Sequence, residues 1–398
     1  MRSTDHISDS IVRVHLRLSD FHIATVIVLA CSTGTWSVVI VLVLMSTPPV
    51  YRRVWLHWDD SHNCDETTAS SCAFKTALLE CPIEGDSSRP LSPDTTLEVP
   101  SSRAEYEQVQ NIIEREEQKY PRLLYDGVRN MTIIKAAPSA LHAQMAESLV
   151  SHISNAANSV IAAYISGQLQ SSSAETFTQD SGQGRTTREW DTALYFRQGT
   201  SFTLMIAVEV AVSQSHTSLQ RAISWSICAL DCPLGITLSI TELRRQPGAI
   251  RTMYFSSLGE AKSIMAEYEA EFQRQLGSHP YGPLEHDGVV WFGNVRRVLL
   301  DTYRKPEDDC SPDTLLAPCQ EITLVADGEY VGHAISENLE DFVLGDCVPS
   351  HLLQSRQSRQ IRQIPINFFQ RQWFEEEFKG AMVRTALSRV WRAISIRP

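Results

Sequence analysis

Two acidic residues, Asp191 and Glu209, occupy positions at which a carboxylate could carry out chemistry. Glu209 lies in the middle of the apolar run LMIAVEVAVSQS, and Asp191, 18 residues earlier, is the second residue of the run WDTALYF. A charge inside a hydrophobic strand costs several kcal/mol unless a partner compensates for it. If the two runs pair as a β-hairpin, both carboxylates can lie on one side of the sheet, where they tend to share a proton or a divalent cation.

A divalent cation between the two carboxylates would define the class of reaction. Oxygen ligands suit Mg²⁺, which commonly takes one or two carboxylates together with substrate phosphate. At this position Mg²⁺ could activate water and stabilise a leaving oxygen in phosphodiester hydrolysis. Two structural explanations compete with this one. Glu209 could pair with an arginine or a backbone group at a sheet edge, and Asp191 could be a turn residue at a strand entry.

Around the acidic pair, the hydrophobic pattern predicts the elements of an α/β domain. A helix begins near Glu105, Asp126-Gly127 marks a turn before a strand, and a second helix covers residues 140–165. Residues 167–189 are polar and rich in Gly and Ser, which predicts a loop. The two acidic strands are followed by a helix that Ser215 could cap and by the strand LGITLSITEL. This order favours helices packed against a mixed sheet.

Four segments, YDG, APSALH, WD and EVAVSQS, resemble in this order the PD-(D/E)XK superfamily, which has the restriction-endonuclease fold. More narrowly, they are similar to uncharacterised fungal proteins of this fold and to predicted restriction endonucleases of cyanobacterial type. The resemblance covers about residues 120–245, roughly a third of the chain. It implies a restriction-endonuclease-like mixed sheet flanked by helices, and a Mg²⁺-dependent nuclease that acts on DNA or RNA. It also implies that Asp191 and Glu209 bind the metal, with the main-chain carbonyl of Val210 as a further ligand.

Two residues depart from the superfamily pattern. Ala211 stands where the superfamily has a lysine that positions the attacking water, and Trp190 stands where it has proline. Gln214 could donate a hydrogen bond instead, and Arg221 on the next helix could bring a positive charge back to the site, although its guanidinium is no base near neutral pH. Glu147 is the candidate for the acid that some members carry on the first helix. These departures leave two other functions open: an inactive nuclease-fold protein that binds nucleic acid or a protein partner, and a membrane-tethered interaction protein.

The histidine and cysteine residues are interpreted as structural. His142, early in the second helix, is expected to be a core histidine satisfied by backbone groups. The nine cysteines are irregularly spaced and include no CxxC pair, which argues against a zinc ribbon and against a disulfide framework in a chain of this length. Cys228 and Cys232 are interpreted as small core residues. Mostly reduced thiols favour an intracellular protein.

The first hundred residues are predicted to form an extension of low order. Residues 21–46 carry no formal charge and are long enough to cross a bilayer as a helix, so they are a candidate single-pass anchor. The alternatives are a signal peptide with a long leader, or sequence that the mature protein lacks because translation starts at Met45. Residues 82–103 are rich in Pro and Ser and predict a linker, which extends the N-terminal extension over residues 1–103.

Composition and charge bound the rest of the chain. With 398 residues, 43% of them hydrophobic, the chain can bury a core, and its net charge of −12 excludes a global basic field for nucleic acid. We expect a restriction-endonuclease-like core at residues 104–248 and an α+β continuation at residues 249–350. Residues 351–398 form a tail in which eight Arg and one Lys oppose three Glu, for a net charge of +6.

The basic tail has two interpretations. An arginine at every third position could line a helical face that touches phosphate or an acidic membrane surface; these residues are Arg356, Arg359 and Arg362. The preferred alternative is a solvated helix packed through its apolar face, which consists of Phe374, Phe378, Val383, Leu387 and Trp391.

Overall fold

The computed structural model describes most of the chain from Pro93 onward and three strands before it. The described residues are 23–25, 38–45, 53–59, 93–115, 121–173, 176–181, 184–212, 214–243, 252–307, 310–312, 314–332, 342–353 and 360–396. The chain divides into two compact units. The first comprises Met1–Ser92 and Leu97–Ile134, and the second comprises Pro93–Thr96 and Lys135–Pro398.

The N-terminal strands form a small antiparallel sheet in the order β1-β2-β3. These strands are β1 (Ile23–Thr25), β2 (Val38–Met45) and β3 (Arg53–Asp59). β1 and β2 fall in the candidate membrane anchor at residues 21–46, so the described residues of that segment form strands and not a helix. Residues 26–37 lie outside the described part. Among the helices that the structure describes, none combines the length and apolar composition that crossing a bilayer requires.

The other elements that the structure describes in the first unit are one helix and three strands, the strands in the order β4-β6-β5. Its elements are β4 (Thr96–Pro100), α1 (Arg103–Arg115), β5 (Arg122–Asp126) and β6 (Met131–Lys135). The helix predicted from Glu105 and the turn predicted at Asp126-Gly127 are both present. The backbone N–H of Arg129 donates to Asp126 Oδ1 at 3.1 Å and closes that turn. Residues 93–103 of the predicted linker are structured, since they contain β4.

The second unit is built on a seven-stranded mixed sheet in the order β18-β17-β16-β12-β11-β10-β7. The strands are β7 (Gln168–Ser173), β10 (Thr192–Gln198), β11 (Ser201–Val212), β12 (Leu234–Leu243), β16 (Asn294–Arg304), β17 (Gln320–Ala326) and β18 (Glu329–Tyr330). β11 and β12 pair in parallel, because a helix crosses between them, whereas the other neighbouring strands pair antiparallel.

The prediction of a loop at residues 167–189 was wrong, since this segment forms three strands. β7 pairs with β10, while β8 (Thr176–Ser181) and β9 (Gly184–Glu189) form a hairpin. β7 is an edge strand of Gln and Ser residues in which Leu169 is buried. Its backbone hydrogen bonds to β10 stabilise a strand that its own composition does not indicate.

Helices pack against this sheet, which confirms the predicted α/β class with a mixed sheet flanked by helices. The helices of the second unit are α2 (Ala140–Tyr164), α3 (His216–Leu230), α4 (Leu258–Ser278), the short α5 (Leu344–Cys347) and α6 (Arg371–Arg392). Short strands and a 3₁₀ turn complete the unit: β13 (Met253–Phe255), β14 (Leu284–His286), β15 (Val289–Phe292), Ser350–Leu353 and β19 (Ile394–Ile396).

One hydrophobic core spans the second unit and runs across positions 248 and 350, at which the sequence predicted boundaries. It contains Leu141 and Ile153 of α2, Val208 of β11 and Phe378 of α6. The tail helix α6 is thus part of the core, as the preferred interpretation of the basic tail expected. The expectation that Trp391 packs in this apolar face was wrong, because its side chain is 41% exposed at the end of the helix.

The interpretation of Cys228 as a small core residue with a reduced thiol was wrong. Cys228 forms a disulfide with Cys310, which links the last turns of α3 to the segment after β16. Cys232 is buried and unpaired, as expected of a small core residue. The pairing with Cys310 could not be predicted from spacing, since 82 residues separate the two cysteines.

Candidate metal centre

The register of the β10–β11 hairpin brings the two predicted acids together. Thr192 pairs with Val208, so Asp191, which directly precedes β10, lies opposite Glu209. The N–H of Val210 points toward Asp191, which makes the pair of Asp191 and Glu209 a non-hydrogen-bonded position of the antiparallel ladder. Side chains approach most closely at such positions and lie on the same face of the sheet. The predicted convergence of the two carboxylates is therefore present.

Glu209 is the more deeply buried of the two acids. Its side chain is 5% exposed, and its carboxylate oxygen Oε2 lies 3.8 Å from the Nζ atom of Lys135. The amino group of Lys135 also donates to the backbone carbonyl of Glu189 at 3.2 Å. Lys135 is the last residue of β6, and the Glu189 carbonyl at the end of β9 helps to hold its side chain beside Glu209. The partner that a buried glutamate requires is thus a lysine that the sequence analysis did not identify.

Asp191 has two partners on one carboxylate oxygen. Its Oδ2 atom accepts the backbone N–H of Val210 at 2.7 Å and lies 3.0 Å from Nε2 of His142. The expectation that backbone groups satisfy the His142 ring was wrong, because the ring lies between two aspartates. Its Nδ1 atom is 3.3 Å from Oδ1 of Asp94.

Local structure at the start of α2 explains where His142 and Asp94 lie. Ser139 is the N-cap of α2, and its side chain accepts the backbone N–H of His142 at 3.2 Å. Asp94 adopts a left-handed conformation with φ of 62°, and its Oδ1 accepts the N–H of Ser139 at 2.6 Å. The segment APSALH therefore fixes the first turn of the helix and turns the His142 ring toward the acids.

The cluster of Asp94, Lys135, His142, Asp191 and Glu209 holds three carboxylates and two basic side chains. Burial by itself lowers the pKa of His142, but the charges and hydrogen bonds of Asp191 and Asp94 outweigh it and raise this pKa to about 10. Burial also opposes ionisation of Asp191, yet His142, Lys135 and the Val210 N–H hold its pKa well below the usual value. His142 and Asp191 therefore form an ion pair near neutral pH.

Glu209 is the carboxylic acid of this cluster whose ionised form is destabilised. Burial raises its pKa to about 8, and the neighbouring Asp191 carboxylate adds to that rise, while Lys135 opposes it. A third carboxylate, Asp94, has a buried oxygen, Oδ2, without a hydrogen-bond partner in the described part of the chain. Two basic groups are thus insufficient for three carboxylates, and Glu209 retains a proton unless another cation is bound.

The backbone of β11 can add a further oxygen to the cluster. In a β-strand the N–H and C=O of one residue point toward the same neighbouring strand. Because the N–H of Val210 reaches Asp191, the Val210 carbonyl is also directed toward the β10 side of β11. It lies beyond the pair of Thr192 with Val208, at which the ladder between the two strands ends. The predicted third oxygen ligand therefore lies on the side of the sheet edge that Asp191 occupies.

The other predicted site residues are exposed, bond to other groups or lack the required group. Gln214, which precedes the N-cap of α3, donates from Nε2 to Ser218 Oγ in the first turn of that helix at 2.9 Å. Arg221 is exposed on α3, and Glu147 is exposed on α2, whereas Asp191 is partly buried and Glu209 is buried. Ala211 is buried in β11 and brings no charge.

Lys135 and His142 are the residues that sequence reasoning missed. The signal for Lys135 was the charge that ends the apolar strand MTIIK, and the signal for His142 was its place in APSALH. Neither pattern reveals the contact, because Lys135 lies 74 residues and His142 67 residues before Glu209 in the chain. Comparisons with protein-family models, with curated proteins and with solved structures find no match for this chain.

Proposed function

We propose that this protein is a divalent-cation-dependent phosphodiesterase that cleaves nucleic acid, with a restriction-endonuclease-like core. The observation that carries the proposal is the convergence of the Asp191 and Glu209 carboxylates on one face of the sheet, with Lys135 Nζ 3.8 Å from Glu209. The order of elements supports the fold assignment: a helix is followed by an antiparallel hairpin, a crossover helix and a parallel strand. Asp191 lies at the start of that hairpin, and Glu209 lies opposite it, near the end of β11.

The donor set fits a hard divalent cation such as Mg²⁺. Asp191 and Glu209 would hold the ion, and the Val210 carbonyl supplies a third oxygen on the same side. Burial raises the pKa of Glu209, and Oδ2 of Asp94 has no hydrogen-bond partner among the described residues, so a bound cation would stabilise two carboxylates of this cluster. When bound, Mg²⁺ would activate a water molecule and stabilise developing charge on the phosphate oxygens.

Lys135 supplies the positive charge that is absent at Ala211. Its ammonium group is compact and has three donors, so it can pair with Glu209 and hydrogen-bond to a phosphate oxygen or to the attacking water. Lys135 reaches the same carboxylate from β6 instead of from β11. The proposed site therefore has a positive side chain, Lys135, although Ala211 replaces the lysine of the superfamily pattern.

His142 is proposed to position Asp191. Its imidazolium lies between Asp94 and Asp191, and one oxygen of Asp191 is shared by His142 and the Val210 N–H. The second Asp191 oxygen, Oδ1, would contact the ion or a substrate group once Glu209 has lost the proton that it shares with Asp191. His142 also competes with a divalent cation for Asp191, which predicts weak cation binding compared with a site of unpaired carboxylates.

A nuclease assay with matched variants tests the proposal. The full chain is incubated with single- and double-stranded DNA and RNA in the presence of Mg²⁺ or Mn²⁺, alongside Asp191→Asn and Glu209→Gln. Asp287→Asn is the control, because Asp287 is a turn residue with a 75% exposed side chain, and asparagine tolerates its positive φ. We expect cation-dependent cleavage by the parent and the control, and loss of about 100-fold or more in the two site variants. Absence of cleavage by the parent, or cleavage undiminished in the site variants, would contradict the proposal.

A second candidate function is binding without catalysis. It is favoured by the ion pairs that already engage both acids, His142 with Asp191 and Lys135 with Glu209. In the same experiment, an inactive parent that nonetheless retards nucleic acid in a gel would support this alternative. Binding that persists in the presence of chelator would separate it from a slow nuclease.

A further inference from the structure

A second polar cluster lies on the same face of the sheet as the candidate metal centre, and we infer that it binds a divalent cation of the zinc class. Its members are His216 at the start of α3, Asp301 on β16 and Glu321 on β17. One ligand atom from each of these three residues lies within 4.8 Å of the others.

The strand register explains why these residues share a face with Asp191 and Glu209. Glu209 pairs with Thr237, Thr237 pairs with Asp301, and Asp301 pairs with Glu321. Directly paired residues lie on the same face, and neighbouring strands are about 4.8 Å apart. The sheet therefore carries one row of polar side chains from the Asp191 end to the Glu321 end, and Asp301 lies two strands from Glu209.

Asp301 is the observation that points to a ligand. Its side chain is fully buried, and its Oδ2 atom contacts Nε2 of His216 at 2.9 Å and the hydroxyl of Thr237 at 3.3 Å. The other oxygen, Oδ1, is buried without a hydrogen-bond partner among the residues that the structure describes. A buried carboxylate oxygen that no donor satisfies has lost its hydration without compensation, and a bound cation would supply that compensation.

The ligand chemistry favours a transition cation over Mg²⁺. One imidazole nitrogen and two carboxylate oxygens suit Zn²⁺, whereas Mg²⁺ prefers oxygen ligands alone. Zinc bonds of about 2.0–2.2 Å in tetrahedral geometry place two ligand atoms about 3.3–3.6 Å apart. The 2.9 Å contact of His216 with Asp301 lies close to that separation, and the exposed side chain of Glu321 must move closer to complete the set.

Two local groups compete with a cation at this cluster. The guanidinium of Arg297 contacts Oε1 of Glu321 at 3.2 Å, but both side chains are about half exposed, so the pair contributes little and is easily exchanged. The hydroxyl of Tyr303 is also buried; it lies close enough to Asp301 and Thr237 to interact with both, although it forms no hydrogen bond of ordinary length in the described structure. A small rotation that lets Tyr303 donate to Asp301 is the alternative explanation, and in that case the cluster binds no ion.

Competition for Zn²⁺ against a chromogenic chelator distinguishes the two explanations. The titration uses the full chain with Asp191→Asn and Glu209→Gln, so that the first site cannot contribute. We expect this protein to retain a bound Zn²⁺ that His216→Ala, Asp301→Asn and Glu321→Gln each weaken at least tenfold. His286→Ala is the matched control, since His286 also contacts an aspartate, Asp287, at 3.1 Å, and it should leave the affinity unchanged.

Equal Zn²⁺ binding by the parent and by all three cluster variants would overturn the inference, because the ion would then be held by cysteines or other groups. Absence of binding would also overturn it and would favour the Tyr303 alternative. His216 and Glu321 are partly exposed, so their variants are expected to fold, which circular dichroism checks. The outcome is independent of the nuclease assay, since the two acids of the first site are already replaced.

Discussion

At the scale of single residues, Glu209 is explained by what surrounds it. A buried glutamate predicted a partner and a second acid, and both exist: Lys135 at 3.8 Å and Asp191 across the hairpin. The second acid could be predicted, because the two strands are adjacent in the chain and their alternation sets the face. Lys135 could not, because 74 residues separate it from Glu209 and no local pattern reveals the contact. The same holds for His142, whose aspartate partners lie 48 residues before it and 49 residues after it in the chain.

The first residue-scale prediction separates Lys135 from Arg221 as the source of positive charge. Lys135→Ala is expected to lower cation-dependent cleavage by about 100-fold, since it removes a charged donor beside Glu209. Arg221→Ala should change cleavage less than threefold, because Arg221 is exposed on α3. Initial cleavage rates at saturating Mg²⁺ measure both effects. A larger loss of cleavage rate in Arg221→Ala than in Lys135→Ala would contradict this assignment and would indicate that Arg221 supplies the positive charge.

The second residue-scale prediction concerns the pH dependence of stability in the metal-free protein. Burial raises the pKa of Glu209 from 4.5 to about 8, so the folded protein holds this proton more tightly than the unfolded chain does. The resulting contribution to the free energy of unfolding is fully present below pH 4.5 and is lost as pH rises through about 8. His142 has a pKa raised from 6.5 to about 10 against the effect of its burial, so the ion pairs with Asp191 and Asp94 are lost as pH rises through about 10. Both groups predict that stability falls as the solution becomes alkaline.

Glu209→Gln isolates the glutamate in that titration. With chelator present, we expect the stability of the variant relative to the parent to rise by about 3–4 kcal/mol between pH 5, where Glu209 is protonated in the folded protein, and pH 9, where it is ionised. Urea unfolding at the two pH values measures the difference. A gap between variant and parent that is the same at both pH values would show that Glu209 does not titrate in this range.

At the scale of elements, the start of α2 positions His142. The helix over residues 140–165 could be predicted from its apolar spacing, and Pro138-Ser139 marked its start. Strands β7 to β9 could not be predicted, because their Gln, Ser and Thr residues resemble a loop and only pairing with other strands stabilises them. Local pattern thus identified the elements that have their own hydrophobic periodicity and missed those that depend on neighbours.

The element-scale prediction uses the caps of two helices. Ser139→Ala removes the acceptor for the His142 N–H, and Ser257→Ala removes the equivalent acceptor at α4, for the N–H of Glu260. Each change should lower the free energy of unfolding by about 1 kcal/mol. Only Ser139→Ala is expected to alter the Mg²⁺ dependence of cleavage as well, since it also loosens the turn that holds His142. Equal effects of both variants on that dependence would contradict this role.

At the scale of the whole molecule, α6 belongs to the core of the second unit. Arg389 on α6 donates to both carboxylate oxygens of Glu242 on β12, at 2.6 and 2.7 Å, and to the carbonyl of Trp291 at 2.9 Å. The Glu242 side chain is 1% exposed, so this is a buried, bidentate ion pair. The apolar face of α6 could be predicted from spacing, whereas the partner of Arg389 could not, because 147 residues separate it from Glu242.

The whole-molecule prediction follows from that ion pair. Arg389→Ala leaves the Glu242 carboxylate buried without its main cation and should lower the free energy of unfolding by about 3–5 kcal/mol. Arg384→Ala is the control, since Arg384 is exposed on the same helix and its loss should change stability by less than about 0.5 kcal/mol. Urea titration of the full chain compares them. Similar losses in both variants would mean that α6 contributes through its charge alone.

The most direct test of the central claim is the position of a bound ion. A crystal of the full chain soaked in Mn²⁺, which takes the same oxygen ligands as Mg²⁺ and scatters anomalously, reveals where the ion lies. We predict an anomalous peak between the carboxylates of Asp191 and Glu209, within bonding distance of an oxygen of each and near the Val210 carbonyl. A map without a peak there, with the contacts of Lys135 to Glu209 and of His142 to Asp191 intact, would contradict the account.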